Sequence, residues 1–503
     1  MLRAAAVFSD HMVLQRNKKI CVFGQGITGR KISVTLGEDT AMARCRDGRW
    51  MAYLPEREAG EGLGMEISDG EENIRFTDIA VGEVWLAGGQ SNMELELKDA
   101  EGGKEILQNG DFPQVRFYYT PKQAYMGEDF EEAERNSRWE RFGEQDASKW
   151  SAVGFYFAAE LARRLQVTVG VIGCNWGGTS ASCWMSRDAI VAQEATRSYV
   201  EEYESSDLIR KPETEQIREY REYQAYQEAW DKKAASIYER EPMTAFDKVQ
   251  ELIGPCRYPG PMNCANFTRP SGLYETMLKR VTPYTLRGFI YYQGESDDHR
   301  PQDYYALFTG LIRQWRQDWG DDGLPFLMVQ LPMHRYQHDP DTKNWCVIRE
   351  SQMRAFRMLR NTGIAVAIDC GQFHEIHPKN KKPVGERLAL QALSGVYHLL
   401  SEEEAFGPVY RDFRYRDNGM ELTFDYARDG FVCHGEKISG FELAGADGVF
   451  LEARAAFEGS RIFLYSEEVT EPVMARYLWT NYGEVTVFGV NGLPMAPFRT
   501  HIF

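Results

Sequence analysis

This sequence predicts an α/β protein: a parallel sheet sandwiched by helices, with β-sandwich segments at both ends of the chain and a helical insertion. Three observations predict it. Buried-looking apolar runs recur and end in glycines or polar turns. Helical patterns separate them. The first and last parts of the chain read as short strands alone.

Residues 1–78 carry alternating runs such as ISVTLG (32–37), RWMAYLP (49–55) and NIRFTDI (73–79), separated by Gly, Asp and Asn turns. Alternation of period two marks half-buried strands, and no helix-period segment intervenes, so a small β-sandwich is expected. The pattern changes at Val81. VGEVWLAGG (81–89) reads as an apolar run ending in glycines, as expected of a buried parallel strand. Similar runs follow at 167–176, 286–294, 324–332 and 362–371. SAVGFYFAAELARRL (151–165) and YYALFTGLIRQWRQDW (304–319) supply helices between them. The catalytic-type α/β domain is therefore expected over 79–400.

Residues of about 186–268 break the alternation. Ile217, Tyr220, Tyr223, Tyr226, Trp230, Ala234 and Ile237 recur at three- and four-residue steps, an amphipathic stripe expected to pack a helical insertion on the α/β core. A sugar-facing edge is the competing use of those rings. From 401 to 503 short strands return, including RIFLYS (461–466) and EVTVFGV (484–490), a second β segment that could pack with the first.

Composition narrows the function classes. A length of 503 residues suggests about three domains. The net charge of −17, with no Lys/Arg cluster, argues against nucleic acid as a partner. No run of 18 apolar residues offers a membrane span, and no secretory leader is visible at the N-terminus. The nine cysteines show no C-x-x-C spacing, which fits reduced thiols and a cytoplasmic location. The sequon at Asn266-Phe267-Thr268 is then coincidental. The oligomeric state stays open, a homodimer included.

Four strand ends carry candidate chemistry. GGQSNMELEL (88–97) places Ser91 between a buried strand and a helix start, where unpaired amides could stabilise an oxyanion while the hydroxyl attacks. Helix capping is the bland alternative for that serine. The G-x-S-x-G elbow is absent, so another hydrolase fold is required. NWGGTSASCW (175–184) offers a glycine turn with exposed amides. YYQGESD (291–297) offers the Gln293 amide, with Glu295, Asp297 and Asp298 either positioning groups or facing water. HEIHPKNK (374–381) offers His377, a residue type that titrates near neutrality. His374 and His377 lie at a spacing that would suit a metal pair, but Pro378 argues against a helix there and no third ligand is evident, so neither metal nor cofactor is expected. A nucleophile, oxyanion donors and a base together make an acyl-transfer site.

Read together, these blocks resemble the sialate O-acetylesterase-like branch of the SGNH (GDSL-like) hydrolases over nearly the whole chain. The similar stretches are VFSDHMVLQR, VGEVWLAGGQSNME, WGGTSASCW, PSGLYETML through GFIYYQGESD, DWGDDGLPFLMVQLP, IHPKNK, ISGFELAGADG and GLPMAPFRT. The resemblance implies a carbohydrate O-acetylesterase acting on sialic acid or acetylated oligosaccharides. It implies Ser91 as nucleophile, His377 as base, and an oxyanion hole of the Ser91 amide, the Gly177 or Gly178 amide and the Gln293 side chain. The family's usual Asp before the histidine is replaced by His374 and Glu375. Glu375 is the candidate orienting acid; a Ser–His pair or a backbone carbonyl is the alternative. Arg300 or Arg349 could offset the overall acidity for a sialate carboxylate. A non-catalytic carbohydrate-binding protein and a lipid or thioester hydrolase are the competing functions. The first would need neither Ser91, Gln293 nor His377, and the second would want an apolar lid that the charged insertion does not supply.

Overall fold

One strand, Asn73–Gly89, ties the molecule together. Its first six residues alternate between exposed and part-buried; the remaining eleven are all buried. The alternating half pairs antiparallel with Gly60–Ser68, so it belongs to the N-terminal β segment. The buried half is central in a parallel sheet. The expected boundary at residue 78 thus lies inside a continuous strand, where side-chain burial changes and the backbone does not. The computed structural model describes all residues except 144–146, 242–243, 245, 337 and 502–503.

Across the sheet the order is Trp139–Arg141, Val115–Tyr119, Val169–Asn175, Asn73–Gly89, Gly288–Tyr292, Phe326–Gln330, Thr362–Val366. All neighbours are parallel except the Trp139–Arg141 edge strand. Val115–Tyr119, a strand the sequence reading did not anticipate, is one of the parallel members. From the central strand the chain first builds one side of the sheet and then crosses to the other. Such a reversal opens a crevice at the strand C-termini. The register sharpens the point: Gly89 pairs with Asn175 on one side and Tyr292 on the other, so three strands end level. Glycine is required there. A Cβ at Gly89 would stand 2.1 Å from the Tyr292 carbonyl oxygen, and its φ is +134°.

The two helices read from sequence form at Ala152–Leu165 and Tyr304–Asp318. Ser151 caps the first, its hydroxyl accepting from the Gly154 amide at 3.0 Å. The insertion contains the long helix Glu213–Arg240. Its stripe is buried at Tyr220, Tyr223, Trp230 and Ala234 and part-buried at Ile217, Tyr226 and Ile237, as expected of packing, but its partners differ from expectation. Tyr220 and Tyr223 meet Ala265, and Trp230 and Ala234 meet Val249, so the helix folds largely against its own returning chain. The C-terminal β segment docks on the helix Asn344–Met358. Arg499 makes two 2.7 Å bonds to Glu350, Asn481 bonds Asn344 at 2.8 Å, and the Arg349 guanidinium reaches the Thr480 carbonyl.

Candidate active site

The Ser91 backbone begins a four-residue helix, Ser91–Glu94, immediately past the central strand. Gln90 occupies the cap position, so Ser91 is not the capping residue. Its hydroxyl instead lies 2.9 Å from His377 Nε2. His377 arrives from the far side of the sheet, on the loop after the outermost strand Thr362–Val366. The loop must therefore cross two strand ends to reach Ser91, and its backbone is pinned on the way. The Ile376 carbonyl accepts from Asn92 Nδ2 at 3.0 Å, and the His377 amide donates to Glu375 Oε1 at 2.8 Å.

Glu375 and His377 are both half-exposed, and the carboxylate stands 3.9 Å from Nδ1. That is an ion-pair separation, longer than a hydrogen bond. Glu375 thus accepts from the His377 amide and does not clasp the imidazole ring. Burial pulls the His377 imidazole below its ordinary value, Glu375 pushes it back up, and the Lys381 ammonium lowers it again. A depressed value keeps Nε2 unprotonated at neutral pH, as a general base requires. His374 adopts a left-handed backbone with its ring against Phe373, 4.2 Å between centroids.

The glycine turn follows Val169–Asn175. A Cβ at Gly177 would lie 3.2 Å from Ser91 Cβ, so its backbone abuts the serine. The Gly177 amide donates to the Glu94 carboxylate, whose other oxygen accepts from Lys122. A carboxylate oxygen, itself an anion, therefore sits on the amide beside Ser91. Gly178 has φ +73°, a conformation that favours glycine, and its carbonyl accepts from the Tyr258 hydroxyl at 3.4 Å. Trp176 stacks on Phe267 at 4.8 Å. The tail of the insertion thus reaches the turn, although its helical stripe packs elsewhere.

Gln293 departs from expectation. It is 1% exposed, and its amide nitrogen donates to Asp297 Oδ2 at 2.6 Å and to the Thr179 carbonyl at 3.3 Å. Both N–H bonds are thereby used, and Tyr304 donates to its Oε1 at 3.2 Å. The side chain knits the glycine turn to its own block and leaves no hydrogen for an oxyanion. Asp297, read from sequence as either positioning or solvent-facing, is fully buried and also accepts from Ser180 at 2.6 Å and the Ala181 amide at 3.0 Å. Burial raises its carboxyl above the usual carboxylate value. Asp298 accepts from Asn344 at 3.0 Å and Trp345 at 3.1 Å.

Neither arginine offered for a substrate carboxylate is available. Arg349 is 1% exposed and spends itself on the Thr480 and Pro332 carbonyls. Arg300 pairs with Glu202 and Ser198. Among the described residues no cluster of three His, Cys, Asp or Glu side chains could hold a metal ion.

Residues 247–394, which contain Gln293 and His377, match the family described as carbohydrate esterase, sialic acid-specific acetylesterase. A solved carbohydrate acetylesterase from Xanthomonas citri superposes over 100% of both chains with a TM-score of 0.78 at 27% identity. The chain is similar over nearly its whole length to the sialate O-acetylesterase-like carbohydrate esterases. The mouse sialate O-acetylesterase is 27% identical over 430 residues, 78% of this chain and 73% of its own. The rat enzyme is 27% identical over 461 residues, 84% of this chain and 79% of its own. Within this esterase, Asn92, Glu94, Lys122 and Lys381 are site residues that reading the sequence missed. Asn92 and Glu94 sit in the quoted GQSNME string and Lys381 ends IHPKNK, so the signal was proximity to the named residues.

Proposed function

We propose that this protein removes O-acetyl groups from sugars, with Ser91 as nucleophile and His377 as general base. The observation that carries the reading is the 2.9 Å contact between Ser91 Oγ and His377 Nε2 at the level ends of three strands. Nε2 takes the hydroxyl proton as Oγ bonds to the acetyl carbon. The oxyanion is held by the Ser91 and Gly177 amides, and the Glu94 carboxylate oxygen marks where it sits. The sugar oxygen leaves with the proton from His377. Water, deprotonated by the same nitrogen, then releases acetate and restores Ser91. Glu94 must yield the Gly177 amide for turnover, while its other oxygen can keep Lys122.

The cations around the site favour neutral acetylated oligosaccharides over a sialate. Lys122 is paired with Glu94, and Arg300 and Arg349 are committed as described. A reducing, cytoplasmic setting is part of the proposal. All nine cysteines are free, and burial pushes the Cys174 and Cys183 thiols up to about 12, far from thiolate reactivity.

Acetate release from acetylated xylo-oligosaccharides and from 9-O-acetyl sialic acid, measured side by side, tests both parts. Ser91→Ala is expected to lose about 10⁴-fold or more in kcat on every substrate. Wild-type rates in that variant overturn the site. A preference for the sialate overturns only the substrate.

A further inference from the structure

Burying a lysine and a glutamate is expensive, and the acyl-transfer chemistry uses neither. Yet Lys381 is 0% exposed and Glu295 is 6% exposed, directly beneath the site. Between them lies Asn92, also 0% exposed. Asn92 Oδ1 accepts from Lys381 Nζ. Its Nδ2 donates to Glu295 Oε1 at 2.6 Å and to the Ile376 carbonyl at 3.0 Å. Asn92 is bonded covalently to Ser91, and Ile376 to His377. One amide thus joins the nucleophile's helix to the base's loop. The Lys381 ammonium also lies 5.3 Å from the Tyr292 ring, at the end of the strand that pairs with Gly89.

We propose that Asn92, clamped between Glu295 and Lys381, is the positioning residue that holds His377 against Ser91, through the backbone of Ile376. It rests on the Ser91–His377 reading. It accounts for a base whose ring is not clasped by Glu375. A ring-clasping acid fixes the imidazole directly. Here the loop that carries the imidazole is fixed instead, and the Lys381 ammonium on the amide oxygen polarises it and strengthens its hydrogen bonds. An uncharged amide alone could rotate by exchanging its oxygen and nitrogen. With the Lys381 ammonium, which can only donate, on one side, only the orientation that turns Oδ1 to it is satisfied. That orientation points Nδ2 at Ile376.

The arrangement also has an electrostatic signature. Facing His377 are Glu375 on its own loop, Glu94 on the Ser91–Glu94 helix with Lys122 on it, and Lys381. Facing Lys381 are Glu295, Glu375 and the Cys370 thiol. Glu375 and Glu94 favour the imidazolium; Lys381 opposes it. Burial draws the Lys381 ammonium down to about 8, so it carries its charge at neutral pH.

The test compares Lys381→Met and Asn92→Ser with Ser91→Ala and His377→Ala, by acetate release over a pH series. Lys381→Met is expected to lower kcat by about 100-fold, as a small misplacement of a reacting group does. It is also expected to move the acid limb of kcat/KM upward by about half a pH unit, because a cation facing the imidazole has gone. Asn92→Ser is expected to lower kcat by about 30-fold or more with KM kept within about threefold, a loss felt only in the reacting geometry. It carries the test alone if Lys381→Met does not fold. Should Lys381→Met lose activity with an unmoved acid limb, or Asn92→Ser keep kcat within threefold while Ser91→Ala and His377→Ala are inactive, the positioning role is overturned and the catalytic pair stands. Activity in His377→Ala overturns both.

Discussion

Two blocks flank Ser91 at the same level of the sheet, and they are built in opposite ways. On one side the turn after Val169–Asn175 presents a backbone amide, Gly177, that meets a carboxylate oxygen next to the serine. On the other, the block after Gly288–Tyr292 presents Gln293, whose amide is consumed by Asp297 and Thr179. Both look like oxyanion donors in a sequence. A backbone N–H is aimed by the fold of the turn and cannot be redirected without refolding it. A side-chain amide goes to the best acceptor within reach, and here a buried carboxylate at 2.6 Å outcompetes an empty site. In the proposed mechanism one flank supplies the donor and the other holds that donor in place. Asp297 reaches across to the Ser180 hydroxyl and the Ala181 amide, so the second block fastens the first.

The largest effect that would break this contrast comes from the backbone donor. Gly177→Pro removes the N–H and is expected to cost about 10²–10³-fold in kcat, the usual loss of one oxyanion donor. Steady-state kinetics with unchanged circular dichroism checks it. Retained kcat would mean that the Glu94 carboxylate marks nothing catalytic.

Gln293→Ala separates the two blocks more finely. If its amide only fastens the turn, removal leaves the buried Asp297 short of a donor and costs about 1–3 kcal/mol in stability. The melting temperature then falls while kcat drops less than tenfold. A kcat loss of about 10²-fold or more at unchanged melting temperature would show that Gln293 swings to the oxyanion during turnover. The flanks would then be equivalent, as the sequence reading has them.

A smaller effect is expected at Glu375. His377 already titrates below its ordinary value, so the acid limb of kcat/KM should lie below about 6.5. Glu375 raises that value, and Glu375→Gln removes the negative charge. The limb should therefore move further down, while kcat falls only a few-fold because the 3.9 Å contact is not a hydrogen bond to the ring. A loss of about 10³-fold would instead make Glu375 a full triad member, against the geometry described here.

Much of this was legible along the chain, for identifiable reasons. The change from alternating to continuous apolarity near Val81 is a local signal, and the strand's burial follows it residue by residue. Strand ends carry Ser91, Gly177, Gln293 and His377 because a parallel sheet collects its sites there. Asp297 is an ambiguous acid in the sequence, because burial depends on what packs over a residue. In the sequence Arg349 is a candidate for a substrate carboxylate, because nothing local announces Thr480, 131 residues away. Asn92 and Lys381 meet across 289 residues, and no periodicity encodes such a contact.

What the string of residues settles is therefore periodic or compositional: the alternation of strands and helices, the flanking β segments, and the turns that carry Ser91, Gly177 and His377. What it leaves to the folded chain is the pairing of each polar side chain. Patterning acts through burial, which tolerates shifts of an ångström and is written in nearest neighbours. A hydrogen bond is decided within a few tenths of an ångström, among partners that only the closed fold brings together. Hence Ser91 and His377 could be named from the sequence, whereas Gln293 turning to Asp297 and Asn92 clamping Ile376 belong to the tertiary structure alone.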